Sequence, residues 1–248
     1  MSRHALVTGA GSGIGAATAR RLHSGGLRLT LLGRDRAKLD AVAADLPDAH
    51  VVLADVTDEA LVNAFAAARE RHGPVEVLVN NAGGVTSAPF LKTDAAAWSA
   101  ALALNLQAPA ACARLVLADM LAAGWGRIVN VASTAGLKGY PYVSAYVAAK
   151  HGLVGLTRAL ALEVAAKGIT VNAVCPGFTD TPLISRSVDA ITARSGRSAE
   201  DARAALAASN PQGRLITPEA VADAIAWLCS DTAAGVNGAA VPVSGGEV

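Results

Sequence analysis

Aromatic side chains are scarce in this chain of 248 residues, three each of Trp, Tyr and Phe, and only 17% of it is charged. Neither sign of charge prevails: 21 Lys and Arg stand against 20 Asp and Glu, a formal net charge of +1. No global field therefore points to nucleic acid or to a membrane surface as a partner. Cysteine is rare as well. Cys112, Cys175 and Cys229 are odd in number, far apart and without metal-ligand spacing. They read as reduced, mostly buried thiols of a cytoplasmic protein, with no disulfide framework and no metal centre. No apolar run of signal-peptide length follows Arg3 and His4. The most apolar long stretch, 99–121, is broken by Asn105, Gln107, Arg114 and Asp119, and reads as a core helix, not a membrane span. Repeats and low-complexity tracts are absent, apart from a richness in alanine that favours helix.

What is present centres on Ser144-Ala-Tyr146-Val-Ala-Ala-Lys150, with Ser133 thirteen residues before Tyr146. Four residues on a helix put Tyr146 and Lys150 on one face, about 6 Å apart along the axis. Such a pair is often only an aromatic edge and a solvated amine. A cation near a phenol also favours the phenolate, which predicts a Tyr146 pKa below the usual value of about 10. The phenol would then serve as acid or base while a Ser hydroxyl holds a substrate oxygen.

Taken in order, 4–8 is a short apolar run that ends at a glycine cluster, with a helix pattern at 13–24. Strands are predicted at 27–32, 51–54, 75–79, 127–131, 170–175 and 240–243. Helices are predicted at 35–45, from an N-cap at Thr57 to 72, at 95–121, at 142–165 ended by Gly168, and from Thr217-Pro218 to 230. Short apolar strands alternating with longer helices mean a parallel sheet covered on both faces. With no shift in composition, 1–248 reads as a single Rossmann-type, doubly wound α/β domain.

Ligands of such folds bind beyond the carboxyl ends of the strands. The first strand there meets Thr8-Gly9-Ala10-Gly11-Ser12-Gly13-Ile14-Gly15. Glycines let the backbone turn tightly and approach a pyrophosphate at a helix N-terminus, although a glycine trio can also be a purely structural turn.

With these motifs in place the chain resembles a short-chain dehydrogenase/reductase from end to end. The resemblance rests on Thr8-Gly9-(x)3-Gly13-Ile14-Gly15, Asp55-Val56, Asn80-Asn81-Ala82-Gly83, Asn105, Ser133, Tyr146-(x)3-Lys150 and Pro176-Gly177 followed by Thr181. It implies that Tyr146 is the acid in ketone reduction and the base in alcohol oxidation. Lys150 would lower its pKa and hold the nicotinamide ribose, and Ser133 would stabilise charge on the substrate oxygen. Asn105 would hold a proton-relay water, or else be only a helix-kinking polar residue. By the same resemblance Ser12, Gly9, Gly13, Ile14 and Gly15 belong to the cofactor loop, and Asp55 and Val56 contact adenine. Asn81, with Ala82 and Gly83, lies near its ribose. Thr181 and the backbone of Thr179, beside Pro176 and Gly177, anchor the carboxamide.

Cofactor choice depends on the end of the second strand, where an acid accepts the 2′-hydroxyl of NAD and an arginine accommodates the 2′-phosphate of NADP. Here Gly33 takes the acid's place and Arg34 follows, with Arg36 nearby, which favours NADP(H). Against this, Asp35 is close enough to intrude and Ser12 stands where NADP-dependent relatives are often basic, so NAD(H) stays open.

The stretch 178–214 is expected to be a substrate lid of two short helices. Its Arg186, Arg194, Arg197 and Arg203 either meet phosphates of a coenzyme A or carrier-protein thioester or form a solvated face. Val85, Leu137, Tyr140, Tyr142 and Phe178 are expected in a mostly apolar pocket. The overall likeness is to 3-oxoacyl-thioester reductases, 3-hydroxyacyl-CoA dehydrogenases and polyketide ketoreductases. A β-keto substrate of NADP(H) is the first expectation, and an NAD-linked dehydrogenase of cyclic, aromatic or steroid-like alcohols the alternative. A non-catalytic nucleotide-binding subunit is the remote one. Relatives usually form homotetramers through the two long helices, whose alanine-rich faces would allow close packing.

Overall fold

The glycine cluster at the end of β1 (His4–Thr8) turns the chain directly into α1 (Gly13–Ser24), and this strand–turn–helix unit sets the pattern of the whole sheet. The computed structural model describes residues 2–248, the side chains of Arg186, Ala190, Ile191, Arg194 and Ser195 excepted. The remaining strands are β2 (Arg28–Gly33), β3 (His50–Leu53), β4 (Val77–Asn80), β5 (Gly126–Val131), β6 (Ile169–Pro176) and β7 (Ala240–Val243). They form a seven-stranded sheet in the order β3-β2-β1-β4-β5-β6-β7, every pair parallel. The order reverses between β1 and β4, and a crevice opens there at the carboxyl ends of the strands.

Alternate side chains of each strand feed two cores. Ala5, Val7, Leu29 and Leu31 pack with α1, α2 (Arg36–Ala43) and α9 (Pro218–Cys229), while Leu6, Leu32, Leu78 and Ile128 pack on the other face. That second core is covered by α3 (Leu61–His72), α5 (Ala108–Ala123) and α6 (Ser144–Val164). The lid stretch contains α7 (Pro182–Ser195) and α8 (Ala199–Ala207).

Three expectations need correction. Thr57 is not an N-cap: its amide and hydroxyl both go to Asp55 Oδ1, at 2.9 and 2.7 Å, and α3 begins at Leu61. The expected long helix forms as one stretch, in which α4 (Ala95–Leu102) passes through a π turn at Ala103–Gln107 into α5. It is, however, only partly a core helix. The helical stretch Ala95–Ala123 has the length and mean hydropathy (1.4) of a membrane span, and only 33% of that apolar window is buried. Finally, α6 starts at Ser144, because Tyr142 adopts φ 65° and cannot belong to it.

Candidate active site

The glycine loop is built for close approach. Gly9 and Gly13 have φ of 64° and 52°, and a Cβ on Gly15 would stand 2.3 Å from the Gly9 carbonyl oxygen. Thr8 organises the neighbouring loop, its Oγ1 accepting from the amides of Asn81 and Ala82 at 3.0 and 2.9 Å. Asn81 returns the contact, donating its side-chain amide to the carbonyls of Thr8 and Gly9 at 2.9 and 3.2 Å. Asn81 therefore buttresses the loop. Ser12 precedes α1 without spending its hydroxyl on the helix, so hydroxyl and first-turn amides face the crevice end. Across the crevice Thr181 closes on the loop, its Cγ2 2.9 Å from where a Gly13 Cβ would be. Thr181 donates to the carbonyl of Thr179, and Thr179 to that of Gly177, which pins the segment after Pro176. Cβ-free backbone, unspent helix amides and a pinned strand end fit a pyrophosphate and a flat ring, and these residues would hold a nicotinamide dinucleotide.

At the end of β2, Asp35 is engaged elsewhere. Its Oδ1 caps α2 by accepting from the Lys38 amide at 3.2 Å, and its Oδ2 pairs with Lys38 Nζ at 2.9 Å. The Lys38 hydrogen bond, with the amide behind it, holds the Asp35 carboxyl below the usual range. Arg34 extends into solvent and pairs with Asp55 Oδ2 at 3.2 Å. Lys38 was not evident from sequence as part of this corner, although its three-residue spacing from Asp35 is the signal. Its Cβ lies 3.1 Å from where a Gly11 Cβ would be. Val56 is buried beside Asp55.

The loop after β5 and the first turns of α6 bring Ser133, Tyr146 and Lys150 together. Lys150 is buried, donates to the Val131 carbonyl at 2.8 Å, and lies 5.6 Å from the centre of the Tyr146 ring. Burial pushes its pKa down to about 8. The Tyr146 phenol moves opposite to the sequence expectation: enclosure raises its pKa, and the hydrogen bond with Ser133 works against the rise without reversing it. A protonated phenol at neutral pH is the result. Asn105, buried in the π turn, exchanges hydrogen bonds with Gly84, donating to its carbonyl at 3.0 Å and accepting from its amide at 3.3 Å. A Cβ on Gly83 would lie 3.1 Å from Asn105 Oδ1 and 3.6 Å from Lys150 Nζ, so the two side chains flank one small space.

Tyr140 forms an edge-on pair with Phe178, ring centres 6.0 Å apart, and Leu137 lies in the same loop. Tyr142 is 61% exposed, and its carbonyl accepts from the amide of Ala88 in the loop that also carries Val85. Glu247 reaches this wall from the far end of the chain, with no local sequence signal to announce it. All three cysteines are free and buried, and burial raises Cys175, behind Lys150, to about 11. It is no nucleophile. Arg186 and Arg194 lie outside the described side chains, and Arg203 is bonded to Asp180.

A parallel doubly wound sheet with a glycine loop, a protonated phenol and a buried ammonium at its carboxyl edge defines an oxidoreductase site for a nicotinamide cofactor. The short chain dehydrogenase family profile matches residues 3–191, and the chain belongs to that family, oxidoreductases of secondary alcohols and ketones. It is 46% identical to a cis-4-hydroxycyclohexanecarboxylate dehydrogenase of Sinomonas cyclohexanicum, over 98% of this chain and 96% of that one. With a D-beta-hydroxybutyrate dehydrogenase of Rhizobium meliloti it shares 36%, over 99% and 98%. Among solved structures, a variant actinorhodin polyketide ketoreductase with NADPH superposes with a TM-score of 0.96 at 40% identity, covering 99% of this chain and 97% of that one.

Proposed function

We propose that the protein is an NADP(H)-linked reductase of a ketone, with a β-keto acyl substrate as the first choice. The observation that carries the cofactor choice is Asp35, which caps α2 and pairs with Lys38 and so does not offer its carboxylate to a ribose 2′-hydroxyl, while Arg34, exposed beside Asp55, is placed to meet a 2′-phosphate. When bound, a nicotinamide cofactor would supply or take the hydride. Ser133 donates to the substrate oxygen, and Tyr146, protonated at rest, gives its proton as negative charge develops there. Lys150 holds the nicotinamide ribose, and the space it shares with Asn105 leads the replacement proton in from solvent. Helices α7 and α8 close over the substrate as a lid. The ketoreductase likeness supports the β-keto substrate.

A second reading, reduction or oxidation of a ring ketone or alcohol, is favoured by the edge-on Tyr140–Phe178 pair and by the cyclohexane-acting relative. The exposed apolar windows of α4 and α5, with Leu162 of α6 82% exposed, support assembly into a homotetramer, which light scattering would test. The deciding experiment is fluorescence titration with NADPH and NADH, repeated on Arg34→Ala. NADPH binding at least tenfold tighter, with the gap abolished by the substitution, is the expected result. Equal or tighter NADH binding would overturn the cofactor assignment and shift the role to an oxidative dehydrogenase.

A further inference from the structure

Glu247 is the penultimate residue, yet its side chain is only 2% exposed. Its Oε1 accepts from the Tyr140 phenol at 2.5 Å and from Lys138 Nζ at 3.1 Å. Its Oε2 is buried with no hydrogen-bond partner, and a Cβ on Gly177 would lie 3.0 Å from it. The tail is seated before it arrives. Gly245 has φ 64° and packs on Asn210, whose Oδ1 would be 2.0 Å from a Cβ there, so no side chain fits. Beyond Glu247 the contacts continue inward. The Tyr140 oxygen shares a 2.6 Å hydrogen bond with Thr134, the residue after Ser133. The Tyr140 ring meets Phe178 edge-on, and Phe178 packs against Ile184, Val188 and Ala202 of the two lid helices.

A carboxylate taken out of water with one oxygen unpaired is unfavourable, and an apolar residue would anchor a tail more cheaply. What the carboxylate adds is direction: it aims one phenol and one ammonium. We propose that Glu247 is a positioning residue of the substrate site, holding Tyr140 and Lys138 so that the Ser133 loop and the lid share one rigid wall. This builds on the ketone-reductase reading. The wall is aromatic, an edge-on pair with the Lys138 ammonium 5.2 Å from the Tyr140 ring centre, and binding of a ring ketone packed on that pair depends on its rigidity more than binding of a linear acyl chain does.

The test compares Glu247→Ala, Glu247→Gln, Tyr140→Phe and the Glu247→Ala/Tyr140→Phe double variant in reduction of 4-oxocyclohexanecarboxylate and of an acetoacetyl N-acetylcysteamine thioester. Hydrogen exchange of segments 134–142 and 178–188 is followed in parallel. The alanine variant is expected to raise KM for the ring ketone at least tenfold and for the thioester less, with kcat within threefold and NADPH affinity within twofold. The glutamine variant, whose amide oxygen still accepts from Tyr140, recovers most of the loss. Both segments exchange faster in the alanine variant, and the double variant is no worse than either single one. A KM within twofold of the parent with unchanged exchange, or a glutamine variant no better than alanine, overturns the role. Should the alanine variant fail to fold, Tyr140→Phe decides by the same KM and exchange criteria. If the parent reduces neither ketone, the functional reading fails, while exchange still decides the part played by Glu247.

Discussion

The two ends of the sheet use their polar groups differently. At the amino ends, buried polar side chains pack on one another, although His50 Nε2, His72 Nε2 and Thr170 Oγ1 find no hydrogen-bond partner. His4 is fully buried, with Nδ1 2.9 Å from the Gly73 carbonyl and Nε2 2.9 Å from the Thr30 hydroxyl, and its ring packs edge-on against His72. Arg127, buried in β5, donates to the Gly126 and Gly168 carbonyls at 2.9 and 3.2 Å, and Trp125 beside it carries Arg3 at 3.6 Å from its ring centre. At the carboxyl ends Thr8, Asn81 and Asn105 are also bonded, but beside them stand glycines in left-handed conformations and the first amides of α1, which the Ser12 side chain leaves uncapped. One end serves the fold alone, and the other is where the proposed cofactor and substrate would sit. The lesson is that burial alone does not mark a functional group. A buried His or Arg at the amino edge is held by structural contacts, while the role proposed for Lys150 at the carboxyl edge rests on its place beside Tyr146 and Asn105 and not on its burial.

That contrast can be broken by substitution. Tyr146→Phe is expected to lower kcat by about 10²- to 10⁴-fold, with cofactor affinity and Tm unchanged. A large loss of Tm instead would place Tyr146 with the structural groups. Arg127→Met, at the other end, should cost about 3 kcal/mol of stability by chemical denaturation and leave kcat/KM of the folded enzyme intact. A selective loss of turnover would erase the distinction between the ends. Acid should act on the amino edge as well. Burial lowers the pKa of His4 to about 4, so the folded state keeps it neutral while the unfolded chain binds a proton below about 6.5. Stability present above that value is therefore lost as pH falls from about 6.5 towards 4, by up to about 3 kcal/mol. His4→Gln should flatten the acid limb of a Tm-against-pH curve. The smallest effect is expected from Asp35→Ala: a slightly lower Tm from the lost cap, with the preference between NADPH and NADH preserved. If the preference changes, Asp35 belongs to the cofactor site after all.

Much of this was legible in the chain itself because it is local. The run at 4–8 and the glycines after it placed β1, the loop and α1 at their observed limits, since turn geometry and helix periodicity act over a few residues. The spacing from Ser133 through Tyr146 to Lys150 likewise brought those side chains together. The failures were competitions between neighbours or contacts from afar. Thr57 has the chemistry of a cap, but Asp55 two residues earlier captured its hydroxyl. The direction of the Tyr146 shift came from enclosure by several elements, which spacing on one helix does not report. Glu247 lies 107 residues from Tyr140 and comes after two glycines, so nothing near it in the chain suggested a partner.

The π turn at Ala103–Gln107 carries a consequence of a different kind. It takes in one residue more than an α-helical turn would, and each helical residue is worth about 100° of rotation. That surplus sets the phase between α4 and α5. Asn105 can face Gly84 while Cys112, Val116 and Met120 still face the sheet. Losing one residue anywhere in 103–107 would straighten the helix and swing one of those faces away from its target. Along an alanine-rich helix where most substitutions would be harmless, the number of residues is thus held as strictly as a reading frame.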